Sequence, residues 1–309
     1  MQIGVMVGGQ SYRGGLDDLV ARGVELESRG FRTMWIPNVF GLDAVTGAAV
    51  VGRETRTIEL GTAVVPTYPR HPTALAQQAL TAGAASRGRF TLGIGLSHPL
   101  VIEQLMGLSY ARRAAHMREY MEVLGPLLRG EPARFSGEEY RVDLALRVPG
   151  APPVPVLIAA LGDRMLEIAG RRSAGTILWM VGPRTIEHHI VPKIHAAARS
   201  AGRSGLRIVA GMHIVLTSGS GAEAGRAHVE KLLGMYRQMP SYRAMLEIEG
   251  SEAPEELALV GDEKSLDAGL ARLRDLGVTD FEASILSIDD EAEARTLGYL
   301  ESRLRTFEA

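Results

Sequence analysis

The sequence predicts an α/β fold, a single (β/α)8 TIM barrel over residues 1–309 with insertions in its βα-loops, and three observations lead there. One unit recurs: an Arg-bearing amphipathic helix, then glycine, then an apolar strand, at 27–36, 85–95, 171–180 and 274–285. Strand–helix alternation of this kind implies a parallel sheet. Eight such strands can be counted, the number that closes a barrel. No central break in the series marks the crossover of an open doubly wound sheet, the alternative arrangement of the same units. A chain of 309 residues is long for one domain but ordinary for an α/β barrel.

Taken in order, the strands read Gln2 to Val7, Arg32 to Ile36, Ile58 to Val65, Phe90 to Gly95, Val154 to Ala159, Thr176 to Met180, Ile208 to Leu216 and Phe281 to Leu286. Gly30, Gly88, Gly175 and Gly277 stand at the joints, where a left-handed cap is cheap for glycine and lets the chain turn into the strand. Helical faces lie between: Leu16, Leu19, Val20 and Val24 share one, as do Leu266, Leu270 and Leu273, at spacings of three and four. Two intervals break the rhythm. Residues 131–153 carry Pro132, Pro149, Pro152 and Pro153 around FSGEEYRVD, which suits a small hairpin; 239–256 holds Pro240, Gly250 and Pro254 around a short helical piece. Both are too short to hold cores of their own and read as insertions in βα-loops, over the catalytic face.

Composition narrows the chemistry. A formal charge of −2, from 34 Lys+Arg against 36 Asp+Glu, argues against nucleic acid or an anionic membrane as the main partner and favours a small-molecule substrate. Cysteine is absent, which removes disulfides, thiolate nucleophiles and Cys-based metal sites. No basic stretch followed by an apolar one opens the chain and no apolar run reaches 18 residues, so the expected setting is soluble and cytoplasmic. The small-residue helix Ala74 to Ala85 would suit tight packing across a homodimer.

In a barrel the chemistry belongs at the C-terminal ends of the strands. Those ends offer no carboxylate pair, no His-x-x-x-His pair and no Ser-His-Asp set, which argues against hydrolytic and metal chemistry. His188 and His189 are adjacent, so on a helix they point apart and chelate poorly. What the ends do offer is an apolar, glycine-lined mouth of the kind a site needs when a cofactor carries the reaction. RFTLGIGLSHP (89–99) is its centre. Gly93 and Gly95 lack side chains, so a flat ring could approach the backbone; Ser97 and His98 supply a hydroxyl and an imidazole; Pro99 suits the first turn of a helix. After the fifth strand, Ala160-Leu161-Gly162-Asp163-Arg164-Met165 opens into a helix whose free N–H groups would hold a phosphate. Asp163 would be a rival anion there, and a plain βα-loop with a capping Asp accounts for the same residues. Trp179, Met180 and Gly182, after the sixth strand, could close the same pocket, or Trp179 and Met180 could be core. Tyr12, Asn38 and Phe40 are candidate substrate-side residues on the first two loops, while His71 before Pro72 reads as a helix-start residue.

The combination of Met34-Trp35-Ile36, LGTAVVPTYPRHP (60–72), LGIGLSH (92–98), AALGDRML (159–166), WMVGPRTIEHHIVP (179–192) and LALVGDE (257–263) resembles the luciferase-like monooxygenase superfamily. More narrowly it is similar to an actinobacterial branch expected to use the deazaflavin coenzyme F420. The resemblance covers nearly the whole chain in order. It implies a cis non-proline bulge at Ala63-Val64 behind the flavin ring, a ring edge at Gly95, Ser97 and His98, and a phosphate-side loop at Ala160 to Gly162. Relatives that oxidise alcohols or sugars carry Asp-His after the second strand and Glu after the fourth, where this chain has Asn38-Val39 and His98. The implied activity is therefore hydride transfer from the deazaflavin to an activated C=C or C=N bond, with His98 as hydrogen-bond or proton donor. An FMN-dependent two-component monooxygenase is the alternative enzyme, and a non-catalytic flavin-binding protein the alternative outside catalysis.

Overall fold

The structure is a computed structural model that describes residues 1–9, 12–219 and 221–308. Eight parallel strands form its centre: β1 (Gln2–Met6), β2 (Thr33–Ile36), β3 (Glu59–Thr62), β4 (Phe90–Gly95), β5 (Val156–Ile158), β6 (Gly175–Trp179), β7 (Arg207–Leu216) and β8 (Asp280–Ile285). Each is bonded to the next, and β8 returns to β1 through Gln2↔Asp280 and Gly4↔Glu282. The sheet is closed. Around it run α1 (Leu16–Ser28), α2 (Ala44–Glu54), α3 (Pro72–Ala85), α4 (Arg113–Leu128), α5 (Asp163–Arg172), α6 (Val191–Ser200), α7 (Glu263–Asp275) and α8 (Ala292–Glu308). β2 and β4 are buried along their whole length, as expected of parallel strands packed on both faces.

Local chemistry sets the helix starts. The Asp43 side chain accepts from Thr46 N at the head of α2, and Asp262 accepts from Ser265 N at the head of α7. His71 caps α3, with Pro72 at the first helical position, so it has the helix-start role that the sequence suggests. Gly30, Gly88 and Gly277 turn with φ of 86°, 86° and 91°. Gly175 differs. It is the first residue of β6, where a Cβ would lie 1.9 Å from the Arg207 carbonyl oxygen, so its bareness serves strand contact rather than a cap. The small residues Ala76, Ala79, Ala82 and Gly83 of α3 are buried within this chain, in a helix packed between α2 and α4.

The lumen is plugged from below. Arg207 pairs with Glu59 and Asp280, and above them the Trp35 ring is fully buried in space left by two glycines. A Cβ on Gly61 would sit 2.3 Å from that ring and one on Gly4 2.9 Å from its Nε1. Open volume is thereby confined to the upper half of the barrel.

The two insertions part company. Residues 239–256 contribute the helix Pro240–Glu249, which with the helix Gly221–Leu233 lies in the β7-to-α7 connection, on the catalytic side as expected. The hairpin of Ala133–Ser136 and Arg141–Leu144 forms as expected but sits elsewhere. It follows α4 rather than a strand, so it belongs to an αβ connection. Its turn nevertheless climbs back along α4, because the buried Glu119 carboxylate accepts the backbone N–H groups of Glu138 (3.2 Å), Glu139 (2.8 Å) and Tyr140 (3.2 Å). No helix among the described residues is long and apolar enough to cross a membrane.

Candidate active site

A cavity of about 1910 Å³ opens at the C-terminal ends of the strands. On one side stands the end of β3. The Ala63–Val64 peptide is cis, and Val65–Pro66 then resumes pairing with β4 through Val65↔Ile94. Ala63 and Val64 both line the cavity and rest on the cluster of Trp35, Leu157, Ile177 and Val209. The glycines of β4 are explained by this bulge. A Cβ on Gly93 would lie 1.9 Å from the Thr62 carbonyl oxygen, and one on Gly95 would lie 2.7 Å from Val64 Cγ2. Their bare faces are filled by the chain itself, which corrects the expectation that they leave room for a ring, although Gly95 does border the cavity.

Beyond β4 the chain turns sharply, with Ser97 at φ 61° and its carbonyl accepting the Tyr110 hydroxyl at 2.7 Å. The turn puts His98 on the cavity wall, ahead of a π-helical segment, Leu100–Leu105. Two tyrosines enclose the imidazole: Tyr236 edge-on at 6.3 Å and Tyr242 at 5.9 Å between ring centroids. Their burial of His98 lowers its pKa and keeps the ring neutral. Sequence reading missed both tyrosines. Their signal was modest, two aromatics around Pro240 in a segment already expected over the mouth.

Ala160, Leu161, Gly162 and Met165 line another side of the cavity. The loop is held from behind, where buried His189 bonds through Nε2 to the Leu161 carbonyl at 2.7 Å. Gly162 caps α5 without a side-chain bond, and a Cβ there would meet nothing within 4 Å. The rival anion stays charged but is paired: Asp163 bonds to Lys193 on the surface, which holds its carboxyl below the usual range.

Of the residues after β6, Trp179 lines the cavity, edge-on to His213 at 5.0 Å. Met180 and Gly182 do not. Met180, the first residue past the strand, has a left-handed backbone with φ 49° and is 3 % exposed, turned into the core. Gly182 instead makes room for Glu249, whose carboxylate would lie 2.2 Å from a Cβ and accepts from Thr185 N (2.8 Å) and Arg184 N (3.2 Å). Tyr12, Asn38 and Phe40 border the mouth. The Asn38 Oδ1 is already engaged by Ala44 N at 3.0 Å, so that residue shapes the second loop. Two polar residues that sequence reading passed over also reach the cavity, Glu282 on β8 and His213 on β7. Both lie within strands rather than at their ends, where the chemistry of a barrel is expected.

Comparison with known proteins agrees with this geometry. The chain is 34 % identical, over 159 residues, to an F420-dependent glucose-6-phosphate dehydrogenase of Nakamurella multipartita, covering 50 % of this chain and 47 % of that protein. It spans about half the length of the relatives it matches. Among solved structures, an F420-dependent secondary alcohol dehydrogenase in complex with an F420-acetone adduct superposes with a TM-score of 0.82 at 17 % identity, covering 99 % of this chain and 98 % of the other. The oxygenating constituent of 3,6-diketocamphane monooxygenase from Pseudomonas putida, in complex with FMN, does so with a TM-score of 0.75 at 16 % identity, covering 99 % and 97 %. These two likenesses concern the fold. The profile of the luciferase-like monooxygenases matches residues 1–280, and the chain, folded as a closed barrel, belongs to the luciferase-like monooxygenase family.

Proposed function

We propose that this chain is an F420-dependent oxidoreductase that passes a hydride from the reduced deazaflavin to an activated C=C or C=N bond of a small organic substrate. The observation that carries the reading is the continuity of one cavity from the Ala63–Val64 bulge to the uncapped start of α5. A flat ring suits the apolar bulge, and an anionic tail suits the N–H groups beyond Gly162, where open space takes the place of a side chain. Those residues fit the cofactor named in the 34 % identical dehydrogenase. When bound, the deazaflavin supplies two-electron chemistry at a carbon, without the one-electron step that engages oxygen. The chain's own residues do the rest. Ala63, Val64 and Trp179 shape the slot, His189 holds the phosphate-side loop, and His98 in its tyrosine enclosure presents a neutral imidazole as hydrogen-bond donor. With Asn38-Val39 and His98 where the acids of alcohol- and sugar-oxidising relatives would stand, reduction is the direction supported.

The test mixes purified protein with reduced deazaflavin and candidate enones or imines in sealed vessels, with and without air. Substrate-coupled oxidation of the deazaflavin, unchanged by air, is expected. Tight FMN binding with substrate-coupled oxygen consumption, and no response to deazaflavin, would replace this reading with the two-component monooxygenase.

A further inference from the structure

Across the lumen from the cis bulge stands a second wall. In a ring of eight strands β7 lies four from β3, so its inward residues face the bulge. Glu282 on β8 is 1 % exposed and its Oε1 has no hydrogen-bond partner; His213 on β7 is 8 % exposed and its Nδ1 has none. Both border the cavity. The register sets Glu282 beside Gly211, and that glycine gives the carboxyl its room, since a Cβ there would lie 2.7 Å from Oε2.

No cation is at hand. Asp280, two residues earlier on β8, is already bound to Arg207, which also takes Glu59. The neighbours from β1, β2 and β6 are Gly4, Thr33, Trp35 and Trp179, none of them titratable. A carboxyl so placed keeps its proton: burial pushes Glu282 well above the ordinary carboxylate value. Burial also pushes His213 down to about 4, with nearby His228 adding to the effect, so the ring beside Ser284 is neutral. Two unpartnered polar groups at a cavity wall are costly unless a ligand completes them.

Resting on the hydride-transfer reading above, we propose that Glu282 is the acid that protonates the substrate, and that the pocket takes an uncharged substrate bearing a carbonyl-conjugated C=C bond or an imine. The step balances. Hydride from the reduced deazaflavin adds to the β carbon of an enone or to the carbon of an imine, and the displaced electron pair moves onto the conjugated carbonyl oxygen or the imine nitrogen. That atom takes the proton as the Glu282 O–H bond breaks; the cofactor leaves oxidised, and cavity water returns a proton to the carboxylate. His98, a neutral imidazole and weak acid, contributes a hydrogen bond rather than the proton. The charge preference follows from the product state. A substrate anion would face the newly formed carboxylate, and a substrate cation would draw the proton from Glu282 before transfer.

Infrared difference spectra of wild type against Glu282→Gln, with and without cofactor, test the acid directly. A protonated-carboxyl C=O band at neutral pH that shifts in D2O and is missing from the variant is expected. Its absence from wild type would overturn the proposal whatever the cofactor proves to be. Glu282→Gln retains an N–H donor, so kcat should fall about 100-fold with KM within about twofold, whereas Glu282→Leu should lose both. Full turnover by Glu282→Gln would also overturn it. Among one neutral enone and its carboxylate and ammonium analogues, the neutral compound should bind about tenfold or more tightly; tightest binding of the ammonium analogue with loss of the band would reverse the assignment. A protein that shows the band but ignores reduced deazaflavin would instead sink the hydride-transfer reading and leave the neutral acid standing.

Discussion

At the scale of single residues, two positions on the cavity wall separate binding from turnover. His98 is enclosed by Tyr236 and Tyr242, and its burial holds the ring neutral. His98→Ala should therefore lower kcat by about tenfold, the loss of one hydrogen bond, while leaving cofactor affinity nearly unchanged. Because the pKa is depressed, the sign of the pH effect is fixed: the ring charges only as pH falls below its ordinary value of 6.5, so wild-type kcat should stay flat down through that point. A wild-type rate that drops at pH 6.5, or an unchanged rate in the variant, would return His98 to the role of a helix-start residue. Gly162 offers the complementary case. Since a Cβ there meets open space, Gly162→Leu should cost the fold only the loss of a good N-cap residue, under about 1 kcal/mol, while the new side chain obstructs the start of α5. Cofactor dissociation measured by fluorescence titration should weaken about tenfold, roughly 1.4 kcal/mol. A change under twofold would put the anionic end elsewhere. His98 and Gly162 were legible because strand ends advertise them. Glu282 was not, because a single acid inside the apolar run Phe281 to Ile285 looks like an interruption until closure of the ring turns that face inward.

Among the elements, the hairpin after α4 is held by one residue more than by its own two strands. Glu119 is 5 % exposed, accepts three backbone N–H groups from the turn, and has its pKa lowered despite burial, so it folds as a carboxylate. Removing an ionised acceptor from part-buried donors that water can reach costs about 1 to 2 kcal/mol. Glu119→Ala should accordingly destabilise the protein by that amount in urea unfolding and make the 131–153 segment the first point of limited proteolysis. Undiminished protection of the segment would mean that the strands suffice. The same element shows what pattern can and cannot say. Proline spacing and FSGEEYRVD revealed a hairpin because turn chemistry is local. Which connection it occupies depends on where α4 ends, and on a carboxylate 19 to 21 residues earlier in sequence finding its donors. All eight strands were legible for the local reason, within two residues at their ends except the third, read as Ile58 to Val65 but ending at Thr62. The cis bulge that divides the third strand followed from family resemblance alone, since alternation reads straight through Ala63-Val64.

For the whole molecule, closure of the sheet makes binding and stability one question. β8 pairs with both β7 and β1, and the cavity is walled by residues from the first strand to the last. Unfolding any wall opens the site, so a ligand held by the native barrel and not by the unfolded chain must raise the stability of the entire ring. At a free ligand concentration 100 times Kd that gain is about 2.7 kcal/mol, which for a domain of this size corresponds to roughly 5 °C in Tm or somewhat more. Deazaflavin should produce this shift, growing with the logarithm of its concentration, whereas FMN at equal concentration should give a much smaller one. Gly162→Leu should then displace the deazaflavin curve to higher concentration while lowering the unliganded Tm by only about 2 °C or less, the cost of a poorer N-cap. A variant whose unliganded Tm falls well beyond that, with the displacement absent, would assign Gly162 to the fold. A larger shift with FMN than with deazaflavin would assign the barrel to flavin chemistry, and the proton-donating wall at Glu282 would then have to serve an oxygenated substrate instead.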